Sequence, residues 1–300
     1  MSPVVRVGLV QLAASNDPDQ NRRRTVERVR EAVERGARLV CLQELFASRY
    51  FCQVEDPAAF DLAERIPGPS TKVLGALARE LGVVIVVPLF EQRAVGLYHN
   101  SCVVLGPDGE PLTHYRKLHI PDDPQYLEKF YFTPGDLGYR ACKTPFGTVG
   151  TLICWDQWYP EAARLTALLG AQILTYPTAI GWLPAEKAAE GDAQLDAWRT
   201  MHRSHAIANG AFVVSVNRVG FEPKPGGGAG EGIEFWGHSF VCDPQGVVLA
   251  EAGEAEEVLV VECDLERSEA VRRWWPFFRD RRIDTYQDLT ARWLGDEEEP

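Results

Sequence analysis

An α/β layered fold built from two similar halves is predicted for this chain, and three observations predict it. Val- and Leu-rich runs alternate with helical stretches that end at glycines. A hairpin signal occurs twice, as Gly106-Pro107-Asp108-Gly109 after Ser101–Leu105 and as Asp243-Pro244-Gln245-Gly246 after His238–Cys242. No low-complexity linker divides the chain, so a single domain over residues 1–300 is expected.

The elements follow in order. Val4–Leu12 reads as a buried strand, and Asn16, Asp17 and Pro18 supply the start of a helix whose Val26, Val29 and Val33 recur at helical spacing until Gly36. Leu39–Leu42 is a second strand. A helix from about Ser70 to Leu81 stops at Gly82, and Val83–Leu89 is a strand rich in β-branched residues. The first hairpin follows, with the partner of Ser101–Leu105 across its turn. Val149–Ile153 is then a strand ending at Cys154, Pro160–Leu169 a helix stopped by Gly170, and Gln172–Tyr176 a strand. Asp192–Asn209 reads as a helix ending at Gly210, with Phe212–Asn217 a strand after it. His238–Cys242 and Val247–Leu249 form the second hairpin. Gly226-Gly227-Gly228 reads as a surface loop, and Asp296 to Pro300 as a solvated acidic tail. The two hairpins lie more than a hundred residues apart, which points to pseudo-symmetry and not to a solenoid.

Composition narrows the function. With 300 residues and 45% hydrophobic content the chain can bury a large core. A formal net charge of -12, from 31 basic and 43 acidic residues, opposes binding to nucleic acid, whose affinity comes from cations set against phosphates. It could steer a cationic small molecule, but a solvated surface is the default reading of such acidity. The seven cysteines are odd in number and show neither a CxxC pair nor other metal-ligand spacing, so structural zinc and a disulfide framework are not expected. Val4–Val10, broken by Arg6, is too short to span a membrane and has no cleavage site of the secretory kind. A cytoplasmic protein without a membrane partner is the resulting expectation.

Three side chains stand where chemistry collects in α/β sheets. Cys154 lies at the junction of Gly150-Thr151-Leu152-Ile153 with Trp155-Asp156-Gln157-Trp158, a place that exposes a side chain and where nearby N–H groups favour thiolate and oxyanion. Glu44 ends the strand run Leu39–Gln43 and can accept a thiol proton. Lys117, after the first hairpin, would keep a neighbouring carboxylate and thiol ionised. Taken singly, each has an ordinary reading too: a small buried hydrophobe, an end-of-strand glutamate in water, a surface lysine.

The words around them decide between these readings. Gln43-Glu44-Leu45-Phe46, Tyr115-Arg116-Lys117-Leu118-His119 and Ile153-Cys154-Trp155-Asp156, in that order, resemble the three motifs of the nitrilase, or carbon-nitrogen hydrolase, superfamily. Longer words resemble the N-carbamoylputrescine amidohydrolases in particular, among them Phe46–Phe51, Glu128–Phe132, Trp155–Arg164, Tyr176–Gly181 and Phe278–Arg282. The resemblance implies a four-layer αββα sandwich with two pseudo-symmetric halves, assembled through helical faces into a homodimer or larger homo-oligomer. It implies Glu44 as general base, Lys117 as stabiliser of the tetrahedral intermediate, Cys154 as nucleophile and Glu128 as a second glutamate positioning lysine or substrate. The N–H of Trp155 would complete the oxyanion site. No metal or organic cofactor is implied.

The implied substrate is N-carbamoylputrescine, which carries a distal ammonium and so calls for an acidic group and apolar or aromatic surface. Trp182, Glu186, Glu190 and Asp192, in the loop expected after Tyr176–Gly181, are the candidates, with Trp182 and Glu186 foremost. Gly181–Lys187 departs from the form of plant members, and Asp123 stands where they tend to have glycine. Two alternatives share these motifs: another amidase, nitrilase or β-ureidopropionase-like enzyme with a different pocket, and a silent nitrilase-like binding or scaffold protein.

Overall fold

In the computed structural model, which describes residues 4–295, the glycine stops and β-branched runs become alternating helices and strands. The first half runs β1 (Val4–Gln11), α1 (Pro18–Glu34), β2 (Leu39–Leu42), α2 (Pro69–Leu81), β3 (Val84–Ala94), β4 (Leu97–Leu105), β5 (Pro111–Arg116) and the short α3 (Glu128–Tyr131). The second continues with β6 (Ala141–Thr144), β7 (Gly147–Thr151), α4 (Pro160–Leu168), β8 (Ile173–Pro177), β9 (Gly181–Trp182), α5 (Pro184–Asn209) and β10 (Phe212–Val216). It ends with β11 (Val219–Pro223), β12 (Gly232–Trp236), β13 (Phe240–Cys242), β14 (Val248–Glu251), β15 (Glu257–Asp264) and α6 (Leu265–Trp274). The acidic tail read at Asp296 to Pro300 lies outside the described residues.

The sheets repeat one topology. The first has the order β15-β1-β2-β3-β4-β5 and the second, read from its far edge, β6-β7-β8-β10-β13-β14. In both, the second, third and fourth strands are parallel and every other neighbouring pair is antiparallel. The turns at Pro107 and Pro244 thus join equivalent strands.

Strand alternation sets the layers. In the first sheet Val7, Leu9, Leu39, Cys41, Val84 and Val86 face the second sheet, where Val149, Ile173, Phe212 and Val214 share their cluster. Val10, Val40, Leu42, Ile85 and Val87 point the other way, onto Val29 and Ala32 of α1 and Leu74, Leu77 and Ala78 of α2. On the outer face of the second sheet Ala162 and Ala163 of α4 and Trp198 and Ala206 of α5 close the core. The result is the four-layer αββα sandwich. Equivalent glycines let the helices approach: a Cβ at Gly8 would lie 3.1 Å from the Cβ of Ala32 and of Ala37, and one at Gly150 would collide with Thr166 Cγ2.

The structure corrects the expected boundary of α5. The helix begins at Pro184, not Asp192, so Glu186, Glu190 and Asp192 are helical and not in a loop. Gly191 sits inside the helix, where its missing Cβ gives room to the Trp182 indole, whose Nε1 donates to the Gly191 carbonyl at 3.1 Å. Strand β3 also runs on to Ala94, past the expected Leu89, because β4 pairs with it along its length. Among the described residues no helix is long and apolar enough to cross a membrane.

Candidate active site

Each sheet delivers one strained turn, at the end of a parallel strand, to the same place. Beyond β2, Glu44 is fully buried and the next residue, Leu45, is held at φ 50°. Beyond β7, Cys154 has φ 42° and opens a 3-10 segment that runs to Trp158. Non-glycine residues in this region cost about 1–3 kcal/mol each and persist where the surroundings over-determine them.

The Glu44 carboxylate is gripped on one side only. Its Oε1 accepts from Asn100 Nδ2 at 2.7 Å and from Lys117 Nζ at 2.9 Å, whereas buried Oε2 has no hydrogen-bond partner. Lys117 follows β5, its backbone N–H donating to the Asn100 carbonyl at 2.8 Å, and its Nζ donates to Glu128 Oε2 at 2.7 Å. Glu128 opens α3 and accepts at Oε1 from the Tyr50 hydroxyl at 2.7 Å. Two carboxylates thus flank one lysine away from water. Burial would pull Lys117 down, but Glu128 and Glu44 outweigh it and hold the ammonium well above the usual lysine range. Burial pushes Glu128 up to about 7 against the pull of Lys117, with Glu44 adding to the rise.

Cys154 is nearly enclosed, with 4% of its surface exposed, and its Sγ lies 3.9 Å from the Ala179 carbonyl oxygen. This corrects the expectation that the strand end exposes the side chain. Burial, then the Glu44 carboxylate, raises the thiol well above its ordinary range, and Lys117 only partly opposes them. The Cys154 turn is anchored by Asp156, fully buried, whose Oδ2 accepts from Ile153 N–H at 3.0 Å and from the Tyr115 hydroxyl at 2.7 Å. Oδ1 of Asp156 accepts from the His119 backbone N–H at 3.1 Å and lies 2.7 Å from His119 Nδ1. Residues on either side of Lys117 are therefore tied to the Cys154 turn.

Above Cys154 opens a cavity of about 350 Å³. Glu128, Cys154, Ala179 and Trp155 line it together with Tyr126, Trp158, Ile180, Leu183 and Trp236, and Asp123 and Glu186 bring carboxylates to its wall. Among the described residues, no lysine, arginine or histidine lines it. Trp155 stands in the first turn of the 3-10 segment, where N–H groups lack partners within the helix. The structure thus brings Glu44, Lys117, Glu128, Cys154, Trp155 and Glu186 to one site. Trp182 does not join them: it is buried behind the wall, tilted against Trp236 and under the Lys187 ammonium.

The carbon-nitrogen hydrolase family profile matches residues 6–273. The chain belongs to that family. This carbon-nitrogen hydrolase is 43% identical to an N-carbamoylputrescine amidase of Solanum lycopersicum over 288 residues, 95% of each chain. It is 35% identical to a citrullinase of Francisella tularensis, covering 96% of this chain and 99% of that one. The crystal structure of a carbon-nitrogen hydrolase from Helicobacter pylori G27 superposes with a TM-score of 0.94 at 48% identity, over 97% of this chain and all of the other. The protein is accordingly an amidohydrolase.

Several side chains that shape this hydrolase's site escaped the sequence reading. Asp156 stands inside a motif word but received no role, and Tyr50 stands inside another. Asn100 sits at the head of the first hairpin strand run, with nothing local to mark it. Arg218 and Glu222, beyond β10, had no signal at all, since they act on backbone of the other half.

Proposed function

We propose that the protein hydrolyses N-carbamoylputrescine to putrescine, ammonia and carbon dioxide, with Cys154 as nucleophile, Glu44 as base and Lys117 as oxyanion partner. The observation that carries the substrate is the cavity wall: carboxylates at Asp123 and Glu186, tryptophans at 155, 158 and 236, and no basic side chain among the described residues. Such a wall favours a cationic tail by charge and by cation–π contact. Neither Asp123 nor Glu186 has an ion-pair partner among the described residues.

In this mechanism the unpartnered Oε2 of Glu44 takes the Sγ proton as sulfur bonds to the ureido carbon and the carbonyl electron pair moves onto oxygen. Lys117 and the Trp155 N–H stabilise that oxyanion, each such donor being worth roughly a hundredfold or more in rate. Collapse breaks a C–N bond, and Glu44 returns its proton to the departing nitrogen. Water then attacks the S-carbamoyl intermediate while Glu44 takes a proton from it. The second collapse expels sulfur, which recovers that proton, and the carbamic acid released loses carbon dioxide to give the second amine. Glu128 keeps Lys117 aimed at the carbonyl oxygen.

The test compares specificity constants for N-carbamoylputrescine, N-butylurea, citrulline and N-carbamoyl-β-alanine. Replacing the ammonium by a methyl group should cost roughly tenfold or more, the worth of one charge-assisted hydrogen bond. Citrulline and N-carbamoyl-β-alanine bring a carboxylate to an acidic wall and should do worse than N-carbamoylputrescine. Preference for either would move the assignment to that substrate and leave the cysteine chemistry in place.

The same reading carries two further expectations. Seven unpaired cysteines support a reducing, cytoplasmic location. Leu165, Leu168 and Leu169 on and just beyond α4 and Trp274, Trp275 and Trp293 near the C-terminus leave apolar surface in water, which supports a homodimer or larger homo-oligomer. A monomer by sedimentation at micromolar concentration would contradict that assembly.

A further inference from the structure

Arg218 is fully buried, Glu222 is 2% exposed, and the two pair at 2.8 Å between Nη1 and Oε1. Neither lines the cavity above Cys154. A buried ion pair is weak evidence for stability, because desolvation of both charges offsets their attraction. What distinguishes this pair is where its other hydrogen bonds go. Arg218 Nη2 donates to the carbonyls of Glu44 at 2.7 Å and Leu45 at 3.0 Å, and Nη1 reaches that of Ser48 at 3.3 Å. Glu222 Oε2 accepts the backbone N–H of Tyr50 at 2.6 Å. Every one of these contacts falls on the segment that begins at Glu44 and ends at Tyr50, and the Tyr50 hydroxyl holds Glu128.

We propose that Arg218 and Glu222 are positioning residues for the reaction, holding Glu44 through its own carbonyl and Glu128 through Tyr50. The inference rests on reading Glu44 as the base. The Arg218 guanidinium, arriving from the second half, supplies donors to carbonyls that the left-handed turn at Leu45 leaves without strand partners. It lies over the Phe235 ring, 5.2 Å from its centroid, and this fixes the plane of the fork. Lysine cannot reproduce that fork, having a single ammonium in place of planar paired donors. A shift of Glu44 of a fraction of an ångström would leave substrate binding in the cavity intact and slow proton transfer.

The experiment measures kcat, KM and the urea unfolding midpoint for Arg218→Lys, Glu222→Gln and the double variant Arg218→Met with Glu222→Met, with Glu44→Gln alongside. The double variant removes both charges and leaves neither buried alone, but it deprives the Glu44 carbonyl and the Tyr50 N–H of their partners, so it should fold with a lowered midpoint. Its kcat should fall roughly a hundredfold with KM within about threefold. Arg218→Lys and Glu222→Gln should show the same split at about tenfold, and they carry the test if the double variant does not fold. A folded variant with kcat within about threefold of the parent overturns the proposal when Glu44→Gln is inactive. If Glu44→Gln itself turns over normally, it is the reading of the base that fails.

Discussion

The turn that carries Glu44 and the turn that carries Cys154 are built alike and secured differently. Each follows a parallel strand, each holds a non-glycine residue at positive φ, and each is anchored by the opposite half of the molecule. Arg218, beyond β10 of the second sheet, binds the carbonyls of the Glu44 turn. Tyr115 and His119, from the first half, bind Asp156 in the Cys154 turn. One anchor is a cation that satisfies carbonyls, the other an anion that satisfies N–H and O–H groups. The difference follows from which backbone groups each turn leaves over, and it teaches that the repeated fold supplies the strand ends while cross-half side chains make them a site.

Breaking the anionic anchor should have the largest effect of three. Asp156→Asn keeps the volume but replaces one acceptor oxygen by donors that face the donors of Ile153, Tyr115 or His119, so the Cys154 turn should relax. We expect kcat to fall roughly a hundredfold, comparable to the Arg218 and Glu222 double variant. Activity near the parent's would mean that the two turns are not equivalent in their dependence on the other half.

The paired glycines differ in how closely the helix approaches the strand. A Cβ at Gly150 would strike Thr166 Cγ2 and lie 2.9 Å from Ala171 Cβ, whereas one at Gly8 meets alanine methyls at 3.1 Å. Gly150→Ala should therefore destabilise by about 1–3 kcal/mol and Gly8→Ala by less, read from urea midpoints at constant slope. The reverse order would mean that α1 and α4 do not approach their strands as the distances indicate.

A smaller effect concerns pH. Burial raises Glu128 from the usual 4.5 to about 7, so between those values the folded protein holds a proton that the unfolded chain has lost. Stability from this group is full below 4.5 and declines as pH rises toward 7. Glu128→Gln should flatten that decline relative to the parent, measured as the unfolding free energy across the interval. An unchanged slope would place the proton elsewhere in the Glu44, Lys117 and Glu128 cluster.

Much of this was legible in the sequence, for reasons that differ by element. Strands β1 and β2, helix α2 and both hairpins carry local signals: β-branched runs, a glycine at αL after Leu81, and proline–glycine turns. Strand β15 also has a β-branched run, Val258–Val261, but its place at the sheet edge is set by pairing with β1 across the whole chain, Val4 opposite Asp264. The three-stranded sheet of β9, β11 and β12 was invisible for the same reason. Within the site, Glu44, Lys117, Glu128 and Cys154 were marked by the words around them. The burial of Cys154 was not, since a strand end looks exposed until the Ala179 segment and the Glu44 and Lys117 side chains of the first half close over it. Trp182 misled because an aromatic next to a loop resembles a binding wall, and only the packing against Trp236 and Gly191 shows that it faces inward.

In the proposed mechanism the base and lysine of the first half act on a sulfur delivered by the second. Ammonia release from N-carbamoylputrescine by Cys154→Ser, at an enzyme concentration where the parent's rate is readily measured, tests it most directly. Circular dichroism and sedimentation on the same samples establish that the fold and assembly are retained. We predict a folded protein whose turnover is lost to background, roughly ten-thousandfold or more below the parent. Turnover by a folded Cys154→Ser variant within a few-fold of the parent would contradict the mechanism.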